Sequence, residues 1–497
     1  MKILFINPSI SVESEELWAT SLKLDLFGKM SFVPRLAPMM LAAVTPKEYS
    51  FTYLDEDLED IKFDQIDADL IALTGMTVQA TRAYELADKF REMGYPVVMG
   101  GIHASSCPEE AALHVDAICI GEGENYWPIL LEDFSKGQLK KVYRSTDYKA
   151  VTNVPMPKVD IVNHTSYSVL PLQATRGCPY SCDFCCIEFS SGRKYRKKPV
   201  EQVVAEIKEL SKHNTGPVTK RYHFMDDNLY VNRNYTIELF KAIIPLNIQW
   251  MGMGSLNIIQ DEEVLSLIAQ SGCRSFSIGF ESISEENLKV ANKDKTNSIE
   301  EYKIAAKKLT EHGIIPSGYF IFGFDHDDEE SFARTVKFTK ENRIINPYFN
   351  ILTPFPGTPL YRRIENKIFD YNWSHYGSLK CVFNPEKLSA KQLEVGSYGA
   401  SFEVAKIDLM KDHMQYFWSH GPWEKNPKLK FRERLFLILI SLTIWKQTES
   451  RRFLMWAATK RNATDMYQVI ATAGFYHAAL KFLDLRDSAL EALNKQK

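Results

Sequence analysis

Four of the chain's eight cysteines fall within nine consecutive positions, inside the stretch TRGCPYSCDFCCIEF at 175–189. Cys178, Cys182 and Cys185 follow C-x3-C-x2-C spacing, and Cys186 comes directly after. Iron–sulfur clusters are held by cysteine thiolates, usually four for a 4Fe–4S cluster, so three closely spaced thiols hold three irons and leave the fourth open. An open coordination position separates a catalytic metal site from a structural one. A zinc site needs a second ligand pair, and only Cys186 is nearby, too close to Cys185 to close a good tetrahedron. A chance cluster or a structural zinc is the plain alternative.

Other residues could serve the same centre. Asp226 and Asp227 in FMDDNLY, Glu281 in GFES and Gly323 in YFIFGF each close a β-rich run. Their ordinary readings are a helix N-cap pair, a loop acid and a bulge. Lys293 lies among charges in KVANKDK, where a solvated face is the commoner reading. The basic run RKYRKK at 193–198 is either such a face or a surface that steers an acidic electron donor.

These side chains need strands to carry them. Within residues 1–140 the runs ILFIN, FTYLDE, DLIALTG, PVVMGG and DAICIGE alternate with helical stretches. One of these stretches repeats Ala83, Leu86, Ala87 and Phe90 at helical spacing before a stop at Gly94. Five strands alternating with helices predict a doubly wound, Rossmann-like parallel sheet whose ligand lies beyond the strands' carboxyl ends. The strand-end residues are then Pro8, Asp55, Thr74, Gly75, Met76, Gly100, Gly101 and the GEGE run at 121–124.

A polar, proline-bearing stretch at 141–168 reads as a linker. A second series at 169–360 has the strands SVLPLQATRG, KRYHFMDD, IQWMGMG, RSFSIGFES, IPSGYFIFGF and YFNILTPFP. Six repeats are too few for an eight-fold barrel and predict an open (β/α)6 partial barrel. Residues 361–497 are helical and aromatic-rich. There KLKFRERLFLILISLTIWK sets basic residues on both sides of an apolar run, Leu435 to Trp445. A buried helix is its first reading; an interfacial helix with peripheral membrane contact, or an apolar substrate wall, is the second.

Composition agrees with a multidomain globular chain: 497 residues, 45% hydrophobic and 25% charged. With 60 basic against 63 acidic residues and a net charge of −3, there is no nucleic-acid footprint. MKILFINPS reads as a first strand rather than a leader, and the run at Leu435 is short of the roughly 20 residues a bilayer requires, so a cytoplasmic protein is expected. In that reducing compartment clustered cysteines point to a metal or to catalysis.

C-x3-C-x-Phe-C after the first strand of a βα series resembles the radical SAM superfamily, in which an aromatic such as Phe184 usually precedes the third cysteine. FMDDNLY, SIGFESIS, GYFIFGFDHDD and TPFPGTPLY resemble the subgroup with an amino-terminal cobalamin domain. The resemblance implies a 4Fe–4S cluster on Cys178, Cys182 and Cys185 whose open iron binds S-adenosylmethionine (SAM), with Cys186 spare. Cluster reduction then cleaves SAM to a 5′-deoxyadenosyl radical. Phe184, Asp226, Asp227, Glu281 and Gly323 are the implied SAM-binding residues, and Lys293 resembles a family lysine.

The first domain resembles cobalamin-binding domains without the D-x-H-x-x-G motif; DEDLED stands there instead. Cobalamin is therefore expected base-off, with no histidine on cobalt. Thr74, Gly75, Met76 and Thr77 would lie against the corrin, and Gly100, Gly101, His103, Gly121, Glu122 and Glu124 would hold the nucleotide tail. A domain that has lost cobalamin is the alternative. For His103 a hydrogen bond to a carbonyl is the plain reading.

The resemblance implies a cobalamin-dependent C-methyltransferase from the branch with hopanoid and bacteriochlorophyll side-chain methylases, acting on an unactivated carbon of an apolar polycycle. A flavodoxin or ferredoxin-type donor would reduce the cluster. The alternatives are a radical SAM cyclase, lipid-coupling or oxidative enzyme without methyl transfer, and, from another class, a cobalamin or redox sensor.

Overall fold

The computed structural model describes residues 1–10, 33–145, 155–167, 169–213 and 221–404. The segment Leu435 to Trp445 lies outside them.

The amino-terminal sheet comprises β1 (Lys2–Asn7), β2 (Ser50–Asp55), β3 (Leu70–Thr74), β4 (Val97–Gly100), β5 (Ala117–Ile120) and β6 (Val142–Arg144). All pairings are parallel, in the order β2-β1-β3-β4-β5-β6. β1, β3, β4 and β5 are apolar on both faces, as a parallel sheet covered by helices requires. The helix Ala80–Glu92 buries the expected Ala83, Leu86, Ala87 and Phe90 and ends before Gly94 at φ +88°.

β6 corrects the sequence reading, which began a linker at 141. It buries only Tyr143 between exposed Val142 and Arg144, so the strand carries no hydrophobic pattern of its own. The remainder of that stretch is not a free tether either. Val159, Val162 and Tyr167 are buried, Lys158 N donates to Met39 O, and the Tyr167 hydroxyl donates to Asp55 Oδ2 at 2.8 Å.

The second sheet is open and wholly parallel. It comprises β7 (Leu170–Leu172), β10 (Arg221–Phe224), β11 (Gln249–Gly254), β12 (Cys273–Glu281), β13 (Ile315–Phe322) and β14 (Asn346–Ile351), in the order β14-β13-β12-β11-β10-β7. Expected as one strand, SVLPLQATRG divides. Asp226 accepts from Ala174 N, Thr175 N and Thr175 Oγ1, drawing the chain out of the sheet. Thr175–Arg176 (β8) then pairs antiparallel with Arg196–Lys197 (β9), closing a ribbon around residues 177–195.

Beyond β14, residues 372–377 reach across to the first domain. Trp373 Nε1 donates to Glu110 Oε1 at 2.6 Å, and its ring meets His103 edge-on at 5.2 Å. The helix Ala390–Val404 packs on the helix Glu329–Glu341, where a side chain at Gly396 would run into Phe332. Among the described residues no helix is long and apolar enough to cross a membrane.

Candidate functional site

The ribbon β8–β9 is the neck of the cysteine loop. Gly177 turns the chain at φ +83°, a left-handed conformation, and a Cβ there would meet the carbonyls of Gly192 and Lys194. Gly177 N donates to Asp227 Oδ2 at 2.8 Å, and Cys178 N to Gly192 O at 3.3 Å. Farther along, Asp183 N donates to Ala291 O, Asn292 Nδ2 donates to Ser181 O, and Arg363 Nη2 donates to Asp183 Oδ2 at 2.8 Å. The loop is thus fastened to the segments after β10 and β12 and to the helix Pro359–Ile364.

Burial pushes the Cys185 thiol up to about 12, with the nearby Cys186, Cys182 and Cys178 adding to it. Cys178, Cys182 and Cys186 are raised by burial too, and the Lys293 charge works against the rise at Cys178 and Cys182. Among the described residues no three His, Cys, Asp or Glu side chains converge on one ion. A cluster takes one thiolate per iron, whereas a zinc site takes several ligands on one metal. Cys186 differs from the other three in being the N-cap residue of the short helix Ile187–Ser190.

Glu281 ends β12 at φ +67°, and its Oε1 lies 3.3 Å from Lys293 Nζ. Burial lowers the Lys293 ammonium, but the charges of Glu281 and the cysteines outweigh it and hold the pKa above the ordinary lysine range. Lys293 is therefore a half-buried partner of Glu281, not part of a solvated face. The Phe184 ring packs edge-on to Phe324 at 6.3 Å. Asp227 thus meets the cysteine loop at Gly177, Glu281 pairs with Lys293, and Phe184 lies within the loop.

Asp226 and Gly323 make hydrogen bonds within the chain. Asp226 is buried against the turn after β7, as above. Gly323 N and Phe324 N donate to Asp327 Oδ2, and a side chain on Gly323, at φ +109°, would meet Leu393 Cδ2 at 2.8 Å. Asp327, absent from the sequence reading, is pushed by burial up to about 6 against these hydrogen bonds and one from Asn287.

At the carboxyl ends of β3, β4 and β5 lies a cleft of about 310 Å³. Thr74, Gly75, Met76, Gly100, Gly101, Gly121, Glu122 and Glu124 line one side, and Gln173, Arg176, Ser190 and Ser191 of the cysteine segment line the other. Gly101 has φ +97°, and a Cβ there would sit 2.8 Å from Thr74 Oγ1 and 2.9 Å from Gly75 N, so only glycine allows β3 and β4 loops this close. Missed in the sequence, Gln79 accepts from Met76 N and donates to Asn7 Oδ1, fixing the 74–76 loop. Concave, glycine-walled and at strand ends, the cleft suits a large planar cofactor.

Two of the expected residues do not line the cleft. His103 is fully buried behind the lining residues Gly101 and Ile102, its Nε2 2.9 Å from the Tyr84 hydroxyl and 3.5 Å from Glu110 Oε1. Thr77 likewise starts a short 3-10 turn and does not line the cleft. Nor is the basic run 193–198 one solvated face. Arg196 and Lys198 turn inward to Glu122 and Glu206, Arg193 pairs with Glu188, and Lys194 and Lys197 stay exposed.

Residues 34–131 match the B12 binding domain family, and residues 172–339 match the Radical SAM superfamily. The chain is 33% identical to the bacteriochlorophyllide d C-12(1)-methyltransferase of Chlorobaculum tepidum, covering 76% of this chain and 84% of that one. It is 32% identical to the bacteriochlorophyllide d C-8(2)-methyltransferase of the same organism, covering 70% and 80%. In fold it is similar to the radical S-adenosylmethionine methyltransferase TsrM from Kitasatospora setae, with cobalamin and a 4Fe-4S cluster bound. That likeness has a TM-score of 0.63 at 15% identity and spans 93% of this chain and 99% of the other.

Proposed function

We propose, from the premise that this chain belongs to the radical SAM enzymes that carry a B12 binding domain, that it methylates a carbon of a bacteriochlorophyll-type tetrapyrrole. It is a cobalamin-dependent radical SAM C-methyltransferase, and its cofactors are a 4Fe–4S cluster, SAM and cobalamin. When bound, the cluster supplies the electron that cleaves SAM, and cobalamin supplies the methyl group.

The observation that carries this reading is the shared cleft, whose two walls come from the B12-binding domain and from the cysteine segment. Cys178, Cys182 and Cys185 are assigned to the cluster. Phe184, Asp227, Glu281 and Lys293 shape the volume beside it, where SAM is bound. Gly75, Gly100, Gly101 and Gly121 let the backbone approach the corrin, and Gln79 holds the loop beneath it. The rest of the chain orients the cofactors and keeps water from the reacting carbon.

The substrate is apolar and polycyclic, and the tetrapyrrole class rests on the two bacteriochlorophyllide methyltransferases to which the chain is similar. A flavodoxin or ferredoxin-type protein reduces the cluster, with exposed Lys194 and Lys197 on the cysteine segment as the contact of matching charge. The test is anaerobic turnover of the reconstituted enzyme with SAM, a reductant and either a bacteriochlorophyllide or a hopanoid. Expected is a product heavier by one CH2 from the tetrapyrrole, with S-adenosylhomocysteine and 5′-deoxyadenosine formed together. Methylation of the hopanoid alone would overturn the substrate class, and SAM cleavage with a ring-closed product would favour the cyclase.

A further inference from the structure

Two arginines at the neck of the cysteine loop meet two glutamates of the other domain. Arg176 and Arg196 are paired residues across the ribbon β8–β9. Glu122 and Glu124 follow β5, beyond Gly121 at φ +82°. Arg196 Nη1 and Nη2 donate to Glu122 Oε2 and Oε1 at 2.8 and 2.7 Å, a bidentate fork. Arg176 Nη2 donates to Glu124 Oε1 at 2.6 Å, and its Nη1 lies 3.5 Å from Glu122 Oε1. Further bonds fix both guanidinium groups. Arg176 Nε donates to Gln173 Oε1 at 2.7 Å, and Arg196 Nη2 donates to Ser191 O at 2.6 Å.

All four side chains are withdrawn from water: Arg196 is 3% exposed, Glu122 8%, Arg176 9% and Glu124 14%. Charges taken this far from water are tolerated when paired and hydrogen-bonded on every side, and here two cations meet two anions. Planar forks also fix orientation as well as distance. The cluster forms part of the cleft wall, through Glu122, Glu124 and Arg176, while Arg196 stands behind it. One residue beyond Arg176 the chain turns at Gly177 into Cys178, so motion of the neck would be motion of the first ligand-bearing residue.

We propose that Arg176 and Arg196 are positioning residues, which lock the neck of the cysteine loop to the Glu122–Glu124 segment and so fix the separation of iron–sulfur cluster and cobalt. The inference rests on the cofactor assignments above. If the lock holds, releasing one fork frees both segments together. Arg196 is the informative position, because it contacts the cleft wall from behind and not the cleft.

Two readouts test this. In the holoenzyme, pulsed dipolar spectroscopy between cob(II)alamin and the reduced cluster should give one narrow distance distribution. In Arg196→Gln and in Glu122→Gln it should widen at least twofold, and the double variant should be no wider than Glu122→Gln, which already cuts the fork. An unchanged width in Arg196→Gln, or fully additive widening, would overturn the proposal. The second readout needs no cofactor. Hydrogen exchange in 121–124 and in 176–196 should rise together about tenfold in either variant, while the helix Val200–His213 keeps its protection; a rise in one segment alone would overturn the lock. Should Arg196→Gln not fold, Arg196→Lys, which keeps the charge and loses the fork, decides by the same two measures. A native protein that retains no cobalamin would count against the cofactor assignment, and the exchange result would still decide the lock.

Discussion

Lys293 reaches the carboxylate of Glu281 from the turn after the helix Glu285–Val290, and it does so at a strand end where this non-glycine residue takes φ +67°. Such a backbone costs about 1–3 kcal/mol and persists only where its surroundings hold it. They do: Asn297 Nδ2 donates to Gly279 O at 2.7 Å, and a side chain at Gly279 would collide with the Glu281 carboxylate. Lys293→Met should therefore destabilise the protein by about 3–5 kcal/mol in urea unfolding, because it strands a buried carboxylate. Adding Glu281→Gln should recover most of the loss. The raised ammonium pKa keeps this contribution whole below about pH 10 and removes it only above, so it should be constant from pH 6 to 9.

Glu124 gives the opposite sign. Burial pushes its carboxyl up, but the Arg176 charge and hydrogen bond outweigh this and hold it below the ordinary carboxylate range. Its contribution is present above the unfolded value of about 4.3 and is lost as pH falls through the lower folded value. The stability difference between the native protein and Glu124→Gln should thus be about 3 kcal/mol at pH 7 and shrink below pH 4. A difference independent of pH from 7 to 3 would show that the pair carries no charge interaction.

The same pair marks what the sequence could and could not disclose. Both parallel sheets were legible because their strands are short apolar runs at regular intervals, and the cysteine loop because three ligands lie close together in sequence. Glu122 and Glu124 were legible as strand-end residues, but their partners Arg176 and Arg196 are 52 and 74 positions away from Glu124 and Glu122, respectively, and nothing local pairs them. Adjacent Asp226 and Asp227 both accept from the stretch 174–177, Asp226 from Thr175 N and Asp227 from Gly177 N, a division that nothing in the sequence announces. β6 was illegible because a strand with a single buried residue has no pattern.

Replacing Cys178, Cys182 or Cys185 by Ala should abolish the four-iron cluster in anaerobically reconstituted protein, measured as iron and sulfide per chain. Cys186→Ala should keep it. Loss of iron from Cys186→Ala with retention in Cys178→Ala would reverse the ligand assignment.

His103 bonds to Tyr84 and Glu110 and stands outside the cleft, and DEDLED offers no histidine. Cobalamin bound to this chain should therefore give a base-off spectrum, and its Co(II) form should show no nitrogen hyperfine splitting from an axial ligand. His103→Ala should leave that spectrum as it is while lowering thermal stability, through the lost contact with Trp373. A nitrogen splitting that disappears in His103→Ala would put the imidazole on cobalt.

Gly94 and Gly101 separate backbone strain from steric collision. Both have positive φ, +88° and +97°, and a Cβ on Gly94 meets nothing within 4 Å. Gly94→Ala should therefore cost only the left-handed conformation, about 1–2 kcal/mol. Gly101→Ala carries the same conformational cost and also drives a methyl into Thr74 Oγ1 and both backbone atoms of Gly75 that face it. Relief requires the 74–76 loop to move, and that loop is one wall of the cleft. Gly101→Ala should thus lose more stability than Gly94→Ala, by about 1–3 kcal/mol, and should also weaken cobalamin binding, which Gly94→Ala leaves intact. The two losses are read by urea unfolding of the apoprotein and by cobalamin retained after gel filtration. Equal stability loss with full cobalamin retention in both variants would mean that the loop yields without cost, and that its close approach to Gly101 does not shape the cofactor site.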